Sequence, residues 1–267
     1  MHNYIVFNGK NSVNNFGLVI DQLPESAHAS RHGDLYQIAG RNGTFVHEDG
    51  TFENYEQVYD VNFIGNAFSK GRDVATWLLG SRGYCRLEDS YEPDFYRLAR
   101  YAGPLNIENV LQQGARASIV FDCRPERYLK SGETAITAMS NVYAAQSPSV
   151  TYDLVNPTGQ VARPIIRVTG QGGIRFAVTP ANASADVVIE MAIGTTTTAV
   201  TVIIDCETYT VTDTSGNDMS SRVSFVDQDG YPEFPKLQSG VTVVKQIPFN
   251  GGGYIQSLEI VPRWWSL

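Results

Sequence analysis

The sequence predicts a mainly β chain in two domains, and three observations carry that prediction. From Ala115 to Cys123 the chain has one plainly apolar face: Ala117, Ile119, Phe121 and Cys123 fall on one side of an extended strand, Ser118, Val120 and Asp122 on the other. A single convincing helical pattern occurs, Arg72 to Leu79, with Val74, Trp77 and Leu78 at i, i+3 and i+4. After Lys130-Ser131-Gly132 the composition turns Thr/Val/Ile/Ala-rich, with turn signals at regular intervals. A length of 267 residues suits two domains of about 130 residues each, expected at 1–130 and 131–267.

Taken in order, Tyr4 to Phe7 is a short β-favouring run closed by the Asn8-Gly9 turn, and Phe16 to Ile20 is a second, broken off by Pro24. Gly40-Arg41-Asn42-Gly43 is a tight turn in which both glycines and Asn42 accept positive φ. Val58 to Ile64 alternates, with Tyr59, Val61 and Phe63 as its buried face. The helix at Arg72 to Leu79, bracketed by Gly71 and Gly80, is about two turns long and must dock on a sheet to persist. Tyr84 to Leu87, Phe95 to Tyr101 and Arg116 to Cys123 complete the first half. Arg124-Pro125 is expected to end the last of these, because proline lacks the N–H a ladder needs.

The second half reads as short strands at Val150–Val155, Pro164–Thr169, Ile174–Val178, Ala185–Ile193, Ala199–Ile204, Thr208–Val211, Val223–Val226, Val241–Val244 and Tyr254–Val261. Their rhythm, without a second helical pattern, fits a β-sandwich or a barrel. Turns are expected at Asn156-Pro157, Gly170 to Gly173, Pro180 to Asn182 and Asp213 to Asn217.

A formal charge of −8 argues against general affinity for nucleic acid or anionic membrane. Cys85, Cys123 and Cys206 are odd in number and far apart, which speaks against a disulfide framework and for synthesis in a reducing compartment. No signal peptide and no membrane span are expected. No cofactor or metal site and no catalytic motif is expected either. Gly170-Gln171-Gly172-Gly173 has Arg175 where a dinucleotide loop needs glycine. His28 and His32 lack a third ligand, and Asp227-Gln228-Asp229-Gly230 lacks the calcium loop's first and last carboxylates. Asp205 and Glu207 share a strand side, but i, i+2 carboxylates are most often a solvated face. Trp264-Trp265 is read as a C-terminal strand sealing the second domain, one indole facing in and the other out.

In order and spacing, the chain resembles the distal tail proteins of long-tailed siphophages along nearly its whole length. The likeness runs through Phe7-Asn8-Gly9-Lys10-Asn11-Ser12, the Gly40 to Gly43 turn, Thr76-Trp77-Leu78-Leu79, Leu87 to Asp94 and Tyr96 to Ala99. It is fullest at Phe121-Asp122-Cys123-Arg124-Pro125-Glu126-Arg127-Tyr128-Leu129 with Gly132, and continues in Asn156 to Gly159, Ala162-Arg163-Pro164, Phe234 to Leu237 and Ile260 to Trp265. Asn42 stands where an acidic residue is commoner in that family.

The resemblance implies a non-enzymatic virion protein at the phage tail tip. Its N-terminal domain would be a ring-forming β-sandwich with a short helix, closing as a homohexamer. Its C-terminal domain would be a galectin-like or carbohydrate-module-like β-sandwich. Implied partners are the tail tube protein, the tail-associated hub protein, the tape-measure protein that passes through the ring, and receptor-binding side proteins. A closed ring needs a heterologous interface, which we place at Gly40, Arg41, Asn42 and Gly43. Pro125, Tyr128 and Gly132 are read as the interdomain hinge. The alternative from the same residues is a carbohydrate-binding module contacting host cell-wall glycans.

Overall fold

The computed structural model describes residues 2–63, 67–105, 107–111, 114–145, 147–180, 186–194, 198–226, 233–249 and 252–267. It divides into two compact units, 1–128 with Leu267, and 129–266. The Asp227 to Gly230 segment and most of the Pro180 to Asn182 turn lie outside the described residues, as does Ile64.

The first unit begins with β1 (Ile5–Phe7), β2 (Lys10–Asn11), α1 (Ser12–Phe16) and β3 (Leu18–Ile20). It continues with β4 (Arg31–Gln37), β5 (Thr44–Phe52), β6 (Tyr55–Phe63) and α2 (Ala67–Leu79). Four strands follow: β7 (Cys85–Asp89), β8 (Phe95–Tyr101), β9 (Ile107–Leu111) and β10 (Gly114–Leu129). The main sheet has the order β2-β1-β7-β8-β10-β6-β3, with β9 also paired to β10. β6 and β10 run antiparallel from Asn62↔Arg116 to Tyr55↔Cys123, so the alternation in both sequences sends Tyr59, Val61, Ile119 and Phe121 to the same buried side. That side is closed by the helices. Phe16 stacks on Trp77 at 4.5 Å, and the Trp77 indole donates to the Phe7 carbonyl at 2.9 Å.

Several boundaries differ from the sequence expectation. Phe16 ends a helix rather than opening a strand: the Asn11 side chain caps the amides of Val13 and Asn14, and Gly17 closes it at φ 67°. α2 starts ahead of Arg72, so Gly71 lies within it, where a Cβ would come within 2.8 Å of Ile107. Pro125 does not end its strand. β10 runs on to Leu129, and its register with β6 stops at Cys123, so the proline withdraws no hydrogen bond from that ladder.

The second unit opens with a short 3₁₀ turn at Lys130–Glu133, then β11 (Ile136–Tyr143), β12 (Thr151–Asn156), β13 (Ile165–Thr179) and β14 (Val187–Ile193). It ends with β15 (Val200–Asp205), β16 (Thr210–Asp213), β17 (Val223–Val226), β18 (Gly240–Gln246), β19 (Tyr254–Val261) and β20 (Trp265–Ser266). Its architecture is a sandwich built around one shared strand. The first half of β13 lies between β19 and β15, and its second half between β14 and β18. The expected turn at Gly170 to Gly173 is therefore a corner inside a single strand. Its glycines permit it: Gly172 has φ 71°, and a Cβ on neighbouring Gly253 would sit 1.9 Å from the Gly173 carbonyl oxygen. Ile166, Val168, Phe176, Ile189, Ile204, Leu258 and Trp264 fill the space between the layers.

A projecting arm as candidate assembly surface

Three of the sequence's candidate clusters resolve into structural contacts. Arg263 donates to Asp205 through both terminal nitrogens, at 2.7 and 2.8 Å, and lies 3.4 Å from Glu207, so the two carboxylates share one guanidinium. Burial pushes the Asp205 carboxyl up, but Arg263 and the Glu207 amide pull harder and leave it below its ordinary value. His28 and His32 are not brought together: His28 Nδ1 accepts from Arg127 at 2.7 Å, whereas His32 Nδ1 pairs with Asp49 at 3.0 Å. Trp264 is buried, and Trp265 is half-buried with its indole donating to the Val161 carbonyl at 2.9 Å. Among the described residues no group of three or more His, Cys, Asp or Glu could hold a metal, and no helix is long and apolar enough to cross a membrane.

The Leu87 to Ala99 motif stretch holds a network that the sequence did not disclose. Arg97 is buried and bridges Asp89 at 3.0 Å, Tyr55 at 2.9 Å and Glu92; Glu92 also accepts from Arg127 at 2.8 Å. Tyr59 donates to the same Asp89 oxygen that Arg97 holds, at 2.8 Å. The second Asp89 oxygen accepts the amides of Tyr91 and Glu92, which fixes the Tyr91-Glu92-Pro93 turn. Burial disfavours the Arg97 cation, yet Tyr59, Tyr55, Asp89 and Glu92 together raise its pKa further. Every partner is supplied by the protein itself, so the network reads as structural.

The feature that the core does not absorb is the hairpin β4–β5. It forms a sheet of its own, and every residue in its two strands except Phe52 is exposed. The Gly40 to Gly43 turn lies at its tip, with φ 79° at Gly40 and 87° at Gly43. At its root, Arg31 pairs with Glu48 and His32 with Asp49, whose carboxyl is held down at about 2 by the Thr51 hydroxyl and amide, with His32 adding to the effect. Its outer half is apolar on both faces. The register pairs Leu35 with Val46 and Tyr36 with Phe45 on opposite sides, and these four with Ile38 are 47–71% exposed. An isolated two-stranded hairpin is marginal in water, and a contiguous exposed apolar surface marks an interface. Sequence reasoning found the turn and missed both strands, because neither has a buried face to generate one-sided alternation.

No family model matches this chain, and no curated protein matches it in sequence. A solved structure does match in fold: SPP1 Dit (gp 19.1), described as a paradigm of the hub adsorption apparatus in phages infecting Gram-positive bacteria, at 15% identity. The superposition covers 100% of this chain and 100% of that one, with a TM-score of 0.70. This chain thus has, from end to end, the mainly β fold of a phage distal tail protein.

Proposed function

We propose that this chain is a structural virion protein of a phage tail tip, a distal tail protein without enzymatic activity. The observation that carries the reading is the fold likeness to SPP1 Dit along the full length of both chains. A fold alone hosts many functions, so the projecting arm matters as support: it offers an apolar surface that the subunit itself leaves uncovered. In this reading residues 1–130 form the ring domain of a homohexamer, and residues 131–267 form a second, sandwich domain, with Pro125, Tyr128 and Gly132 at the hinge. Gly40, Arg41, Asn42 and Gly43 belong to the ring interface as the tip of a longer element running from Arg31 to Phe52. The ring joins the tail tube protein to the tail-associated hub, passes the tape-measure protein, and carries receptor-binding side proteins.

Light scattering on the purified protein tests this. The expected species has about six times the 29.4 kDa chain mass and a ring outline in negative stain. Leu35→Asp with Phe45→Asp should return it to a folded monomer. A wild-type chain that stays monomeric at every concentration, alone and with its tube protein, overturns the ring.

A second reading has one observation in its favour. Tyr143, 66% exposed, lies 5.0 Å from Tyr254 on the outer side of the β11–β19 pair, beside Asn141. Paired aromatics flanked by an amide suit stacking on a sugar ring. Glycan-array binding that Tyr143→Ala abolishes would establish the second domain as a wall-glycan contact; a blank array removes the reading.

A further inference from the structure

We infer that the arm's acceptor on the next copy is a groove at the opposite end of β6; the inference rests on the ring reading and specifies its heterologous contact. The groove encloses 770 Å³ on the outer side of β6 and β10, between Asp21 beyond β3 and the Gly103-Pro104 loop, with Asp60, Ser118 and Val120 as its floor. Its charge is acidic on balance. Asp60 meets the Ser118 hydroxyl, and the single guanidinium of Arg116 reaches Asp21 only at 4.0 Å. Two carboxylates and one loosely placed cation thus line it beside Pro104 and Val120.

The arm presents the complement. Its root charges pair with each other, whereas exposed Arg41 at the tip, whose amide donates to the Ile38 carbonyl, has no ion-pair partner among the described residues. Asp34, the arm's other charge outside the root pairs, lies seven residues back and accepts from the Tyr36 hydroxyl, so the cation at the tip is what meets an acidic groove with apolar walls.

The chain path makes the contact intermolecular. After β3, residues 21–30 retrace β6 backwards: the Asp21 amide donates to the Asp60 carbonyl, Gln57 Nε2 to the Glu25 carbonyl, and the Glu53 amide to the Ser30 carbonyl. The arm therefore springs from the start of β6, about 17 to 23 Å from the groove at its end, for the five to seven residues between Tyr55 and Asp60 to Asn62 at ~3.3 Å each. Folding back over the sheet would bury the arm, and it is exposed. Knob and socket at opposite ends of one strand produce head-to-tail contacts, which close as a ring where the rotation between copies closes.

The test combines a cross-link with a charge exchange in the full chain, with Cys85→Ser removing the half-buried thiol. Arg41→Cys with Asn62→Cys in one chain should oxidise to a covalent ladder ending at the closed ring, while either cysteine alone should not. Arg41→Asp should raise the concentration for half-assembly about tenfold, as loss of ~1.4 kcal/mol requires. Asp60→Arg should do the same, and the two together should restore assembly; if Asp60→Arg fails to fold, Asp21→Arg takes its place. Rings that form without cross-linking and ignore the exchange overturn the groove while leaving the ring intact. A wild-type monomer overturns both.

Discussion

Arg97 shows what a single side chain contributes here. It is buried with Asp89, and each neutralises the other within reach of Tyr55, Tyr59 and Glu92. Arg97→Met would leave Asp89 buried without its cation, a loss of about 3–5 kcal/mol. Urea unfolding followed by tryptophan fluorescence in a Trp264→Phe, Trp265→Phe background, where Trp77 alone emits, should show it; a loss below about 1 kcal/mol would mean water replaces the guanidinium. The thiols make a second prediction. Burial pushes Cys123 and Cys206 up to about 12, so both remain protonated and unreactive at pH 8. Iodoacetamide should label only Cys85 in the native chain and all three in denaturant, as peptide mass mapping would read. The sequence could not disclose the Arg97 network, since Tyr55, Tyr59 and Arg127 come from other strands and charged residues read locally as solvated.

At the scale of elements, one-sided burial decided what was legible. β6 and β14 each place apolar residues on a protein-facing side, and their alternation is visible in the chain. β4 and β5 have no such side, and β13 changes sheets midway, so its glycines imitate a turn. The end of the second domain is held by close backbone contact: a Cβ on Gly132 would lie 2.4 Å from the Trp264 nitrogen. Gly132→Ala should therefore cost about 1–3 kcal/mol in the second unit, measured by thermal unfolding. The Asp205–Arg263 pair predicts an acid response. Because the folded Asp205 pKa is depressed, its contribution is complete above the ordinary Asp value of about 3.9 and is lost as pH falls through the lower folded value. Arg263→Met should lower stability at pH 7 and flatten its dependence on pH between about 5 and 2; an unchanged slope would show that the pair is spent on solvent.

For the whole molecule, each unit has an aliphatic and aromatic core of its own, from Phe7, Trp77 and Phe121 in the first and Phe176, Ile204 and Trp264 in the second. Residues 129–267 expressed alone should accordingly unfold in one cooperative step; a gradual melt would mean that they depend on the first unit. Outside both cores stands the arm, an interface candidate that burial within its own unit does not explain. Its strands were not legible in sequence because neither has a buried face, whereas the Gly40 to Gly43 turn at its tip was legible from its glycines.

Arg41 at that tip has one more consequence. It is a trypsin target on a slender, solvent-surrounded hairpin. Brief digestion of newly purified protein would nick between positions 41 and 42, whereas in the proposed ring subunits already seated against one another would resist. The fraction of uncut polypeptide over time would then serve as a clock for how quickly, and in whose company, the subunits find their places.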